Sequence, residues 1–350
     1  MTTTGLAELQ RAVRERIDSG ALRGVLCWEQ GSNAFRSRPM VIRAAADAAT
    51  AIFSPACSTG LVRFLIEDNR YPLGPEEDKR PLGIVLRGCD DRGVIELIKE
   101  HQKRREELVI FGVDCRGTVD WTKVRRLLRK GMISAEDLDL GKLSWRDDEI
   151  VLVMAGGKEK PLDRKSVLLD KCLICEGHTP RIFDLMIGEE DKNRKEMPVI
   201  EDVERLEQKS PDERWGFWQS EFSRCVRCYA CRNVCTYCSC EECAIDPRTQ
   251  AISDKSLARD KANRPQWTGQ DSTLPSNAFY LLARAYHGAG RCTTCEECDR
   301  ACPMGLPLRL LNRKVRKDVK RLFDYEAGRS VDDRTLYGEA CEEDPGDFIW

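Results

Sequence analysis

Two cysteine-rich stretches of the chain share one spacing, C-x2-C-x2-C-x3-C. The first contains Cys225, Cys228, Cys231 and Cys235, and the second contains Cys292, Cys295, Cys298 and Cys302. This spacing is typical of loops that bind a 4Fe-4S cluster with three thiolates and give the fourth to a neighbouring cluster. It predicts that Cys302 completes the cluster of the first loop and that Cys235 completes the cluster of the second. Pro303 follows the last cysteine as in bacterial ferredoxins, whereas Thr236 follows Cys235.

Cysteine pairs can also bind structural zinc or form disulfides. Zinc sites use paired C-x2-C motifs with four ligands each, and they rarely contain the third cysteine and the x3-C step found here. A disulfide framework suits short secreted chains, whereas this chain is long and residues 1–20 contain no apolar signal-peptide core. The spacing therefore favours two 4Fe-4S clusters.

The composition is that of a charged globular chain. Its 350 residues suggest about two domains, and 57 basic and 59 acidic side chains leave a net charge of −2. This balance argues against a nucleic-acid or membrane-surface partner, and no apolar run reaches the roughly 20 residues of a transmembrane helix. We expect a cytoplasmic protein, and in that reducing compartment 18 cysteines indicate metal ligation.

The first half of the chain alternates buried apolar runs with amphipathic segments. Strands are predicted at Gly24–Glu29, Pro81–Gly88, Leu108–Val113 and Phe183–Gly188. Helices are predicted at residues 1–20, Arg43–Phe53, Asp91–Glu107 and Asp120–Gly131. A small β-meander is predicted around Lys142–Leu162. Such alternation with short connections indicates an α/β fold with a parallel-sheet layer.

The second half of the chain is predicted to be mainly α-helical. A helix capped by Ser276 delivers the chain to the second cysteine loop, and a basic amphipathic helix spans Pro307–Phe323. The predicted organisation is an α/β domain at 1–190, a linker at 191–212, a dicluster ferredoxin-like domain at 213–330 and an acidic tail at 331–350. No Walker loop, dinucleotide-binding motif or nucleophile elbow occurs in the sequence, so no catalytic residue is assigned.

The remaining cysteines fall into two groups of interest. Cys89 and Cys115 each follow a predicted buried strand, and a C-x2-C pair is formed by Cys172 and Cys175. Carboxyl ends of parallel strands line one crevice, so these four could form a third ligand set, although cysteines are also common as small buried apolar residues. Further along, three more thiols could bind another metal or offer alternative ligands to the first cluster: Cys238, Cys240 and Cys243.

Three segments in order resemble the beta-subunit family of coenzyme F420-reducing hydrogenases and formate dehydrogenases. They are IVLRGCDDRGVIEL, LVIFGVDCRGTVDW and KCLICEGHTPRIFDLMIG, preceded by the similar segment SPACSTGLVRFL. The resemblance covers about residues 20–188. Two positions depart from the family pattern, since Gly88 replaces the usual proline before the first cysteine and Glu176 replaces an aspartate.

The resemblance implies an FAD site in the first domain and a 4Fe-4S cluster bound by Cys89, Cys115, Cys172 and Cys175 beside it. Coenzyme F420 itself is implied less directly, because no motif for its pocket is found. The function implied is that of an oxidoreductase subunit of anaerobic metabolism. It would exchange electrons between a two-electron carrier (a deazaflavin, NAD(P)H or flavin) and 4Fe-4S clusters.

The partners implied are redox subunits of a hydrogenase, a formate dehydrogenase or a heterodisulfide-reductase-like complex. Trp215, Phe217 and Trp218 could dock such a subunit or simply pack in the core. Two other functions fit the sequence: an electron-transfer adaptor without flavin, and a stand-alone flavin-dependent reductase of an organic substrate.

Overall fold

A computed structural model describes residues 3–73, 77–146, 149–154, 156–192, 201–240, 243, 245, 269 and 271–338. The chain divides into two compact units, Met1–Pro198 and Val199–Trp350. The first unit is an α/β layer, and the second contains both cysteine loops among helices.

The first unit is built on a five-stranded sheet with the order β2-β1-β3-β4-β8. Its strands are β1 (Gly24–Gln30), β2 (Ser37–Ile42), β3 (Leu82–Leu86), β4 (Leu108–Val113) and β8 (Leu185–Ile187). β1, β3, β4 and β8 run parallel, and β2 pairs antiparallel with β1 at the edge. Every residue of β3 is buried, as expected for a strand with both faces covered. The carboxyl ends of β3 and β4 therefore lie side by side.

The helices of the first unit follow the strands. They are α1 (Thr3–Asp18), α2 (Val62–Arg70), α3 (Asp91–Lys99), α4 (Trp121–Arg129), α5 (Ala135–Leu140), α6 (Arg164–Val167) and α7 (Asp170–Leu173). α4 shows why such segments become helices: the Asp120 side chain accepts a hydrogen bond from the Thr122 amide, and Gly131 adopts φ +65° just beyond the end. The β-meander is a separate antiparallel sheet of β5 (Lys142–Arg146), β6 (Glu149–Val153) and β7 (Glu159–Leu162).

Three helix predictions differ from the structure in their bounds or type. The segment predicted at Arg43–Phe53 forms only a short 3-10 helix, Ala45–Thr50. α3 ends at Lys99, because His101 adopts a left-handed φ of 55° and the amides of Gln102 and Lys103 turn back to Leu97. The helix predicted to be capped by Ser276 begins two residues earlier, since Pro275 occupies its first turn, where its missing N–H costs nothing.

The second unit is helical throughout its described elements. These are α8 (Glu201–Glu207), α9 (Pro211–Ser223), α10 (Ala230–Asn233), α11 (Leu274–His287), α12 (Glu297–Ala301) and α13 (Leu308–Phe323). Its core contains Phe222, Tyr280 and Leu281, and cysteines of both loops pack directly against these residues. None of the described helices is long and apolar enough to cross a bilayer.

Candidate metal centres

The two cysteine loops share one unusual backbone conformation. Arg227 and Tyr229 flank Cys228 with φ values of 53° and 59°, and Thr294 and Glu296 flank the equivalent Cys295 with 52° and 56°. Left-handed φ is uncommon for residues other than glycine and costs about 1–3 kcal/mol at each position. In each loop, two residues with left-handed φ therefore flank the second cysteine, and the backbone turns around it.

The first group of thiols combines three cysteines of the first loop with the last cysteine of the second. Burial raises the pKa of Cys225, and the negative charges of Cys302 and Cys228 raise it further. Burial likewise raises the pKa of Cys231, with added repulsion from Cys302, Cys225 and Cys228. Cys302 thus lies among the first-loop thiols although 71 positions separate it from Cys231. Cys228 is the exposed member of this group.

The second group surrounds a small cavity. Its lining includes all four cysteines of the group: Cys235, Cys292, Cys295 and Cys298. Burial raises the pKa of Cys298 well above its usual value, and the charges of neighbouring thiols, Cys295 and Cys292 among them, add to the effect. Cys235 comes from the end of the first loop, so the two loops exchange their last cysteines.

Polar groups around this cavity suit a bound iron-sulfur cluster. The Asn312 amide lies 3.6 Å from the Cys298 sulfur, to which it donates. Thr293 also lines the cavity and is 3% exposed, and its hydroxyl has no hydrogen-bond partner within the described parts of the chain. Because the sulfurs of such a cluster accept hydrogen bonds, four thiols with two nearby donors fit a 4Fe-4S cluster.

A single-ion site is not found in the described residues. Within them, no three cysteine, histidine or carboxylate side chains converge closely enough to hold one metal ion. A zinc ion requires its ligand atoms at about 2.0–2.3 Å, whereas the four thiolates of a cube bind four different irons and so lie further apart.

A third group of thiols lies at the carboxyl ends of β3 and β4. Burial raises the pKa of Cys115 to about 12, and repulsion from Cys172 and Cys175 contributes. Burial also raises the pKa of Cys89 well above its usual value, and Cys115 adds to the rise. The four cysteines Cys89, Cys115, Cys172 and Cys175 therefore interact with one another. The donor set is again four thiols, as a 4Fe-4S cluster requires.

Close backbone contacts position this third group. A Cβ atom on Gly88 would lie 2.3 Å from the Gly177 carbonyl oxygen, so no side chain fits where the resembling family usually has proline. The Cys115 amide donates to the carbonyl of His178, which ties the end of β4 to the segment that follows Cys175. This segment is also held by Arg181, whose guanidinium binds the fully buried Asp91 of α3 at 3.0 Å.

A buried cation accompanies the third group. Arg87 is 1% exposed, pairs with Asp90 at 2.7 Å and donates to the Cys57 carbonyl. Its Nη2 atom has no partner in the described ranges. Burial dominates the pKa values of Cys89 and Cys115, but the Arg87 charge acts on both in the opposite direction and lowers them.

The cysteine-rich half of the chain is similar to a known family of iron-sulfur domains. Residues 221–306 match the family described as "4Fe-4S dicluster domain". The F420-dependent formate dehydrogenase subunit beta of Methanocaldococcus jannaschii is 26% identical over 111 residues, which cover 32% of this chain and 25% of that relative. The F420-dependent formate dehydrogenase 1 subunit beta of Methanococcus maripaludis is 21% identical over 93% of this chain and 91% of that relative.

The chain is similar to F420-dependent formate dehydrogenase beta subunits and contains a 4Fe-4S dicluster domain. The resemblance predicted from the sequence is thereby confirmed. A chain of the F420-reducing [NiFe] hydrogenase complex from Methanosarcina barkeri is also similar, with 13% identity and a TM-score of 0.37 over 50% of this chain and 58% of that one.

The three additional cysteines of the dicluster domain differ in their surroundings. Cys238 accepts a hydrogen bond from Cys235, and this bond, with the nearby charge of Arg284, outweighs burial and lowers the pKa of Cys238 to about 5. Cys240 is exposed and Cys243 is half-buried. Cys238 therefore lies at the end of the first cysteine loop, beside a predicted ligand of the second cluster.

The aromatic residues of α9 divide between surface and core. Trp215 is 46% exposed, whereas Trp218 stacks on the buried Phe222 at 5.3 Å and Phe217 packs edge-on against Trp218. Of the three predicted docking residues, Trp215 is the most exposed and therefore the one most accessible to a partner.

Besides Asn312, which donates to the Cys298 sulfur, three residues that contact the thiols or their loops were not singled out from the sequence. Arg284 of α11 donates to the Cys231 sulfur, Asn277 of the same helix donates to the carbonyl of Cys225, and Thr293 lines the second cavity. A polar residue on the apolar face of α11 is the sequence signal that could have revealed Asn277 and Arg284, because an amphipathic helix normally keeps such residues exposed.

Proposed function

We propose that the chain is an electron-transfer subunit that links a two-electron carrier to 4Fe-4S clusters. Its dicluster domain would bind one cluster with Cys225, Cys228, Cys231 and Cys302, and a second with Cys235, Cys292, Cys295 and Cys298. When bound, each cluster takes up or releases one electron at a time. The crossed grouping of the thiols, in which each loop supplies one cysteine to the other, is the observation that most supports this proposal.

A third cluster bound by Cys89, Cys115, Cys172 and Cys175 would lie in the first unit. The convergence of these four half-buried thiols from separate segments of the chain supports it. The contacts of the described residues in this unit do not single out a flavin site. FAD therefore rests on the resemblance alone, and we assign no step to it.

The electron balance of the proposed reaction is simple. Oxidation of one hydride equivalent on the carrier releases one proton and two electrons, and these reduce two clusters by one electron each. The names of the relatives favour coenzyme F420, a deazaflavin, as the carrier and a formate dehydrogenase catalytic subunit as the partner. The cytoplasmic location predicted from the sequence belongs to the same proposal.

The test is the content of iron, sulfide and flavin in the intact chain, purified without oxygen. We expect about twelve irons at four per cluster, together with one FAD. Cys115→Ser should lower the iron content to about eight, whereas Cys27→Ser should leave it unchanged. Cys27 is a suitable control because it is a buried thiol of the same sheet, whose pKa is raised to about 12 mainly by burial.

Other results would select the alternative functions. About eight irons without flavin would support the adaptor and would exclude the third cluster. Turnover of a small organic substrate by the isolated chain would favour the stand-alone reductase. Zinc in place of iron would refute the proposal altogether.

A further inference from the structure

Arg284 of α11 contacts a ligand of the first predicted cluster and also lines the cavity of the second. Its Nη1 atom donates to the Cys231 sulfur at 3.1 Å, and Nη2 lies 3.4 Å from the Cys231 carbonyl oxygen. Cys231 belongs to the first thiol group. The same guanidinium lines the cavity of the second group, and its charge acts on Cys235 of that group.

The surroundings of Arg284 are unusual for a buried arginine. Only 8% of the residue is exposed, and buried guanidinium groups normally pair with a carboxylate. In the described part of the chain, Arg284 forms no ion pair with an aspartate or glutamate; its electrostatic partners are thiols and phenols, namely Cys231, Cys238, Tyr237 and Tyr280. Its Nε atom is buried and has no hydrogen-bond partner there.

A buried positive charge without a carboxylate needs negative charge from another source. The four thiolates of each bound cluster would supply it, since a 4Fe-4S cluster with its ligands carries net negative charge that increases on reduction. The carboxylates on the other side of the second cavity cannot neutralise Arg284, because they have their own cations: Glu296 pairs with Arg313, and Asp299 pairs with Arg309 at 2.9 Å.

We infer that Arg284 is a positioning residue that raises the reduction potentials of both clusters of the dicluster domain through its fixed charge. The effect should be larger for the first cluster, because Arg284 also donates a hydrogen bond to a ligand sulfur of that cluster. This inference rests on the proposed function, since it requires both clusters to be present.

The experiment is a redox titration of the anaerobically purified intact chain, followed by the EPR signals of the reduced clusters. In Arg284→Gln the positive charge is lost while a planar amide remains. We expect the equilibrium constant for reduction of the first cluster to fall at least tenfold, which is 59 mV for one electron, with a smaller shift for the second. Lys320→Gln removes one positive charge from an exposed position of α13 and should shift neither potential, because water screens that charge.

Arg284→Lys separates charge from geometry. It keeps the positive charge. The equilibrium constant for reduction of each cluster should therefore stay within about threefold of its wild-type value. A shift in Arg284→Lys as large as that in Arg284→Gln would overturn the inference, as would wild-type potentials in Arg284→Gln.

Iron content distinguishes failure of this inference from failure of the proposed function. Wild-type protein without iron would refute the proposed function itself. If Arg284→Gln alone loses its clusters, the redox titration of Arg284→Lys decides the question. Wild-type reduction potentials in Arg284→Lys would support the role of the charge. A tenfold change in the equilibrium constant for reduction of the first cluster would contradict it. Loss of clusters from both variants would show that Arg284 acts in assembly and would also overturn the inference.

Discussion

Asn277 offers a sharp test of how α11 holds the first cysteine loop. This fully buried side chain uses its Nδ2 atom to reach three carbonyl oxygens, at 3.0 Å from Phe222, 2.8 Å from Cys225 and 3.1 Å from Ser272. Asn277→Leu keeps the approximate volume and removes the donor. The first loop would then lose its link to the helix at Cys225.

The expected cost follows from what each carbonyl retains. Ser272 is exposed, so water can replace the amide, and the Phe222 carbonyl still accepts from the Cys225 amide. The Cys225 carbonyl loses its side-chain donor, and a buried acceptor left unsatisfied costs about 1–3 kcal/mol. The Oδ1 atom of Asn277 is buried and has no hydrogen-bond partner within the described residues, so its removal recovers part of this cost. We expect a net loss of about 1 kcal/mol in the free energy of opening the first loop.

Release of iron to a chelator measures this opening in the native protein. About 1 kcal/mol corresponds to a release from the first cluster that is roughly fivefold faster, while release from the second cluster should not change. Asn233→Leu is the control, because Asn233 is an exposed asparagine of α10 in the same loop. Equal acceleration of iron release from both clusters, or wild-type release rates for both, would refute the reasoning.

Three further predictions concern stability. Burial alone would raise the pKa of Asp68, but the hydrogen bonds and charges of Arg23 and Lys103 outweigh burial and lower the pKa from 3.8 to about 2. The Asp68 carboxylate therefore contributes stability above about pH 4, and this stability is lost as the pH falls towards 2. At 1.36 kcal/mol per pKa unit this amounts to about 2.4 kcal/mol, and urea unfolding between pH 2 and 5 should be less pH-dependent in Asp68→Asn by that amount. Arg87→Met leaves the buried Asp90 without its cation and should destabilise the first unit by about 3–5 kcal/mol in urea unfolding; an unchanged midpoint would contradict this ion-pair argument. Asp324 ends α13 at φ 48° with its side chain 90% exposed, so Asp324→Gly should raise the free energy of unfolding by about 0.5–1 kcal/mol, and a decrease would mean that the Lys320 ion pair matters more than backbone strain.

Much of the fold follows from local patterns in the chain. The fully apolar runs at Leu82–Leu86 and Leu108–Val113 predict adjacent parallel strands, because only strands covered on both faces tolerate such runs. Helix ends were predicted less well. The left-handed His101 that ends α3 has no strong sequence signal, since histidine occurs in many conformations.

The spacing of the cysteines predicted thiolate ligands and the crossed assignment of the two loops, because a fixed spacing of thiols is a local property of the chain. It left the third group open, since Cys89, Cys115 and the C-x2-C pair are far apart along the chain and only the parallel pairing of β3 and β4 brings them together. The tertiary structure alone decided the roles of Asn277 and Arg284. Their positions on α11 are ordinary for a helix, and the chemistry comes from which carbonyls and sulfurs the fold places beside them.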